Sequence, residues 1–131
     1  MLVRLVSLAF LVFALAAAPA RADDLADFNA AIEQAAAHNR VAIGYLRTGN
    51  VDLASVELDR LRQAFEQVTA RKRPAVFDSK LYGKTMTDIA MRLVTADMLL
   101  NMGKPDNART SLIAVRDDLY VVHQQVTAQV L

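Results

Sequence analysis

The segment "YLRTGNVDLASVEL", Tyr45 to Leu58, decides the fold. An apolar helical run enters Thr48-Gly49-Asn50, and a second one leaves it within two residues. Glycine takes the left-handed backbone conformation that stops a helix without the Cβ clash other residues suffer. Further along, "LLNMGKPDNARTSL", Leu99 to Leu112, repeats the arrangement with Gly103, a polar turn, Ala108 and another apolar run. Turns this short join antiparallel neighbours. Each segment therefore reads as the corner of a helical hairpin.

Working outward from the corners, the apolar residues follow helical spacing. Leu25, Phe28, Ile32, Ala35, Ala42 and Leu46 form one face of a first helix, with Asp23 and Asp24 placed to cap its start. Leu58, Leu61, Phe65 and Val68 mark a second, starting near Asp52 and ending at "RKRP" (71–74), where Pro74 disfavours helix in the residue before it. Met86, Ile89, Ala90, Leu93, Ala96, Asp97 and Leu100 lie on one stripe of a third, over 84–102. A fourth starts near Asp106 and carries Ala108, Leu112, Val115, Leu119, Val122 and Val126 in strict alternation of three and four. No run shows the two-residue alternation of a strand. The fold class is all-α, an antiparallel up-down-up-down four-helix bundle of two αα-hairpins, 23–73 and 84–131, joined by a connector over 74–83.

The first 22 residues read as a cleaved secretory signal peptide. Arg4 precedes an apolar run from Leu5 to Ala18, and Pro19 with Ala20-Arg21-Ala22 supplies a small-x-small cleavage site. The run is short of the roughly 20 residues that span a bilayer, so the expected destination is a bacterial periplasm, with no membrane attachment after cleavage. Of 15 basic and 14 acidic residues, Arg4 and Arg21 fall in the leader, so the remaining 109 residues (23–131) carry 13 against 14. That near-neutral balance gives no footing for nucleic acid. The chain has no cysteine, which excludes disulfides, thiolate metal sites and covalently attached haem.

The turns, through Tyr45, Gly49, Ala54 and Leu58 and again through Leu99, Gly103, Ala108 and Leu112, resemble those of tetratricopeptide repeats. That family repeats at about 34 residues, against 54 here. The resemblance implies a peptide groove; turn chemistry common to tight helical hairpins, or duplication of one hairpin, are the alternatives. A secreted four-helix bundle with His123 on its last helix also resembles cytochrome b562-like bundles, which hold haem by a methionine of the first helix and a histidine of the last. The first helix here has no methionine after the leader.

Two histidines and a group of third-helix methionines are the candidates for chemistry. Thioether and imidazole suit copper(I) and haem iron, so His38, His123, Met91 and Met98 are the candidate metal residues. The histidines are expected at different heights, beside the apolar seam. A methionine stripe such as Met91, Met98 and Met102 reads first as core filler. No HExxH, GxSxG or phosphate-loop motif occurs, and the expectation is a non-enzyme with no resident cofactor. The function expected is an interaction or accessory binding module. Its partner would be a periplasmic protein or a small apolar ligand, with Tyr45, Phe77, Tyr82 and Tyr120 as surface candidates and a homodimer as one arrangement. The alternative is a copper or haem b carrier. Protein recovered from a periplasmic fraction should begin at Asp23 by intact mass; retention of the first 22 residues would mean an anchor instead.

Overall fold

Both corners close through the same hydrogen bonds. At the first, Asn50 N–H donates to Tyr45 C=O (2.9 Å) and Gly49 N–H to Leu46 C=O (3.2 Å). At the second, Lys104 donates to Leu99 (2.8 Å) and Gly103 to Leu100 (3.1 Å). This is the paired termination in which a left-handed glycine satisfies the last carbonyls of a helix. Gly49 and Gly103 have φ of 81° and 71°. The next helix starts immediately: the Asn50 side chain accepts from Leu53 N–H, and Pro105 opens its helix where no N–H is needed. Ala54 and Ala108, four residues past each turn, are fully buried.

The computed structural model describes the backbone of residues 2–75 and 77–130 and the side chains of 24–75 and 77–125. Four helices result: α1 (Leu2–Arg47), α2 (Val51–Ala70), α3 (Ser79–Asn101) and α4 (Pro105–Val130). No strand occurs among the described residues. α1 packs along α2 and α4, α3 packs along α4, and α2 and α3 touch least. The fold is the all-α pair of hairpins expected.

Some boundaries differ. Helix α1 is continuous through Asp23-Asp24, so no helix starts there in the full-length chain; the Asp23 side chain lies outside the described residues. The leader side chains and Val126 lie outside the described residues. The connector is shorter than 74–83, because Asp78 caps α3 by accepting from Lys80 N–H (2.8 Å) and Leu81 N–H (3.1 Å). A carboxylate there satisfies free N–H groups and meets the positive helix end, which extends helix over 79–83. Ala90, expected in the core, is exposed; it lies one residue past Ile89, rotated off the buried stripe.

The core runs through all four helices, with Phe28, Ile32, Leu58, Leu61, Ile89, Leu112 and Val115 fully buried. Phe28, Phe77 and Tyr82 close one end with ring centroids 5.6–6.2 Å apart. Arg73 holds the connector over this cluster by donating to Phe77 C=O (2.7 Å). With no cysteine to cross-link it, the bundle depends on this burial, worth about 1.5–3 kcal/mol per large apolar side chain.

Both corner glycines have open space where a Cβ would stand, so the cost of replacing them is purely conformational. Gly49→Ala and Gly103→Ala should each lower stability by about 1–2 kcal/mol in urea unfolding. The corresponding asparagine variants should lose less, because asparagine tolerates the left-handed region. Equal losses for alanine and asparagine would contradict this account.

Candidate functional site

The four seams of the bundle carry different side chains. On the α1–α2 seam His38 Nδ1 meets Glu57 Oε1 at 2.5 Å, and Arg60 donates to Glu57 Oε2 at 3.2 Å. Glu57 is buried, and a buried carboxylate needs such partners. On the α2–α3 seam Arg62 pairs with Asp97 at 3.5 Å. On the α3–α4 seam Arg92 pairs with Asp118 at 3.0 Å, and Ser111 donates to Arg92 C=O at 2.8 Å.

The α1–α4 seam is the exception, because it opens into a groove of about 400 Å³. Its floor is apolar: Ile32, Ala36 and Ile43 from α1 and Leu119 from α4. Gly44 and Ala36, both small, leave the flank unfilled. Tyr120, 59% exposed, stands on the α4 rim. At the base lies Asn39, 1% exposed. Its Nδ2 donates to Leu112 C=O at 3.0 Å, while its Oδ1 is buried without a hydrogen-bond partner. The charged rim is uneven. Glu33 and His123 meet at 3.2 Å; Arg40, Arg47 and Arg116 complete the lining. The volume falls in the range of small-molecule sites, roughly 300–1,000 Å³.

The metal candidates are not brought together. His38 faces α2 and His123 faces the groove. His123 is level with Glu33, five residues and about 7.5 Å along α1 from His38. Met91 and Met98 are 64% and 54% exposed. With Val94 and Met102 they form an apolar stripe on the side of α3 away from its core residues. The reading of these methionines as core filler is therefore corrected: Met86 is buried and fills the core, while the others lie half a turn away. Among the described residues no three His, Cys, Asp or Glu side chains are placed to hold a metal ion.

Of the surface candidates, Tyr120 is exposed as expected and borders the groove. Phe77 is not: it is 4% exposed, packed between Phe28 and Tyr82, because the shorter connector folds it inward. Tyr45 and Tyr82 are half-buried against the core. The groove arginines escaped sequence reading, although a signal was there. Arg40 and Arg47, both in the groove lining, are seven residues apart, the spacing that holds one flank of a packed helix; Arg109, seven residues before Arg116, is not part of that lining.

Comparison with known proteins finds no family model, no curated protein and no solved structure that matches the chain. Among the described residues no helix is long and apolar enough to cross a membrane.

Burial holds the Tyr82 hydroxyl above the ordinary phenol range, and the Arg73 cation offsets part of that rise. The fold thus favours the neutral phenol. Its contribution is fully present below the unfolded value, about 10, and is lost as pH rises through the higher folded value. Stability measured by urea unfolding should fall as pH rises above the ordinary phenol value of about 10, and Tyr82→Phe should flatten that part of the profile. An unchanged slope in the variant would assign the loss to other groups.

Proposed function

We propose that this chain is a periplasmic, non-enzymatic binding module whose site is the α1–α4 groove, and that it takes a small apolar ligand there. The observation that carries the reading is the groove itself: about 400 Å³ over an apolar floor between two helices, a common setting for ligand sites in bundles. The secretion leader read in the first 22 residues supports the compartment. The absence of hydrolytic and nucleotide-binding motifs supports a binding role, as does the engagement of both histidines with carboxylates.

The likeness to tetratricopeptide turns remains one of hairpin corners, since two corners fall below the roughly three repeats a solenoid needs. The likeness to cytochrome b562-type bundles is one of architecture. His123 sits on the last helix as that pattern asks, but it faces Glu33, and α1 offers no methionine beyond the leader. Copper or haem carriage accordingly has less support than an apolar ligand.

A small residue at the groove provides the test. Gly44 is helical, lines the groove and has open space around a Cβ. Gly44→Leu should therefore fill the groove while keeping or raising stability, since leucine is the better helix former by somewhat less than the roughly 0.8–1 kcal/mol that separates glycine from alanine. Titrated with the uncharged probe N-phenyl-1-naphthylamine, the parent protein should show saturable one-to-one fluorescence enhancement. The leucine variant should bind at least about tenfold more weakly, a loss of roughly 1.4 kcal/mol. No saturable binding, or equal binding by the variant, would move the site away from this groove.

A further inference from the structure

We infer that the α1–α4 groove takes an amphipathic anion: one carboxylate or phosphate head held between arginines that face each other across the seam, on an apolar body laid over Ile32, Ala36, Ile43 and Leu119. This rests on the groove being the binding site and adds the chemical class of its occupant.

Register places the arginines. Helices α1 and α4 run antiparallel, and Glu33 meets His123 at 3.2 Å. One heptad up α1 and one heptad down α4, about 10.5 Å along the axes, bring Arg40 opposite Arg116. Both line the groove. A second heptad in the same directions brings Arg47 opposite Arg109. The seam therefore has one level of opposite character and two levels of like charge.

The other three seams are charged differently. Each described ion pair between them joins opposite groups: His38 with Glu57, Arg62 with Asp97, Arg92 with Asp118. Within α1, Glu33 is the last acidic residue before the corner, so no carboxylate of that helix reaches the two arginine levels. On α4, Asp118 is taken by Arg92. Asp117 accepts only from Arg116 Nε, at 3.4 Å, with both side chains more than half exposed. That contact leaves the four terminal N–H donors of Arg116 available. Arg40 and Arg47 have no anionic partner within 4.0 Å among the described residues. Arg109 has its Nε buried without a hydrogen-bond partner.

Two facing guanidinium groups repel until an anion lies between them. Carboxylate and phosphate match the guanidinium fork, accepting two parallel charge-assisted hydrogen bonds from each arginine. The apolar floor beside them is what makes the preferred occupant amphipathic, since a bare anion would leave Ile32, Ala36, Ile43 and Leu119 wet. The Glu33–His123 level supplies direction: its carboxylate disfavours a second head at that end, so the head belongs at the Arg40–Arg116 level. The complementarity is local, because the whole chain is close to neutral.

The test is displacement of N-phenyl-1-naphthylamine from protein purified from cells expressing the full chain, with Gly44→Leu as the groove control. Decanoate and decyl phosphate should displace the probe at concentrations at least about tenfold lower than 1-decanol or decyltrimethylammonium, as charge-assisted hydrogen bonds to paired arginines require. Arg40→Gln/Arg116→Gln should abolish that preference and leave displacement by 1-decanol unchanged. Both positions are exposed, so the double variant should keep its unfolding midpoint, which checks that loss of preference is not loss of fold. Equal displacement by decanoate and 1-decanol would overturn the anionic head while leaving the groove reading intact. Displacement by inorganic phosphate as effective as that by decyl phosphate would overturn the apolar body. Cosedimentation with phosphatidylglycerol vesicles but not phosphatidylcholine vesicles, with no response to free decyl phosphate, would assign the arginines to a bilayer surface and overturn the small ligand. Probe binding indifferent to Gly44→Leu would bring down the groove reading itself.

Discussion

One buried hydrogen bond sets the seam on which the rest of this molecule depends. Asn39, inside α1 and almost wholly buried, donates to the carbonyl of Leu112 inside α4. Leaving a buried polar group unmet costs about 1–3 kcal/mol, so a slip of α4 along α1 is penalised even where the apolar contacts could re-form. A single buried asparagine fixes register in coiled coils for the same reason. The same antiparallel seam carries the Glu33–His123 contact and has Arg40 and Arg116 in the lining of its groove.

Size and charge then divide the seams. On the inner face of α1, Ala31, Ala35 and Ala42 are buried and allow close packing. On the flank toward α4, Ala36 and Gly44 are equally small, the long side chains Arg40, Arg47, Arg116 and Tyr120 are exposed at the rim, and a groove is left between the helices. The same residue types thus give close packing on one side and a groove on the other. Charge follows this division. The other three seams carry ion pairs of opposite sign, whereas on the α1–α4 seam Arg40, Arg47 and Arg116 line the groove beside the single Glu33–His123 pair; repulsion between like charges is mild at a wet surface and grows with desolvation.

The third helix shows how two stripes of one helix can read alike and end differently. Met86, Ile89, Leu93, Ala96 and Leu100 are buried; Met91, Val94, Met98 and Met102 lie on the opposite side and are exposed. Both stripes have helical period. Which one faces the bundle depends on where α4 lies, and that in turn on the corner at Gly103. Phe77 is a similar case. As a large apolar residue in an irregular connector it could have faced solvent or core, and the Asp78 cap decided by starting α3 early and folding Phe77 over Phe28.

Four helices, their two glycine corners and the pairing of neighbours into hairpins were legible in the sequence alone. They rest on local physics: apolar period within a helix, and hydrogen bonds that span five residues at a turn. The half-buried setting of the histidines beside the apolar seam was legible as well, because it follows from angular position on one helix. The groove was not. It depends on residues 73 apart in the chain meeting at Asn39 and Leu112, and on arginines that are unremarkable on their own helices. Only the tertiary structure decided that Arg40 and Arg47 of α1 and Arg116 of α4 line one groove over an apolar floor, because sharing a groove is a relation between helices that no local pattern contains.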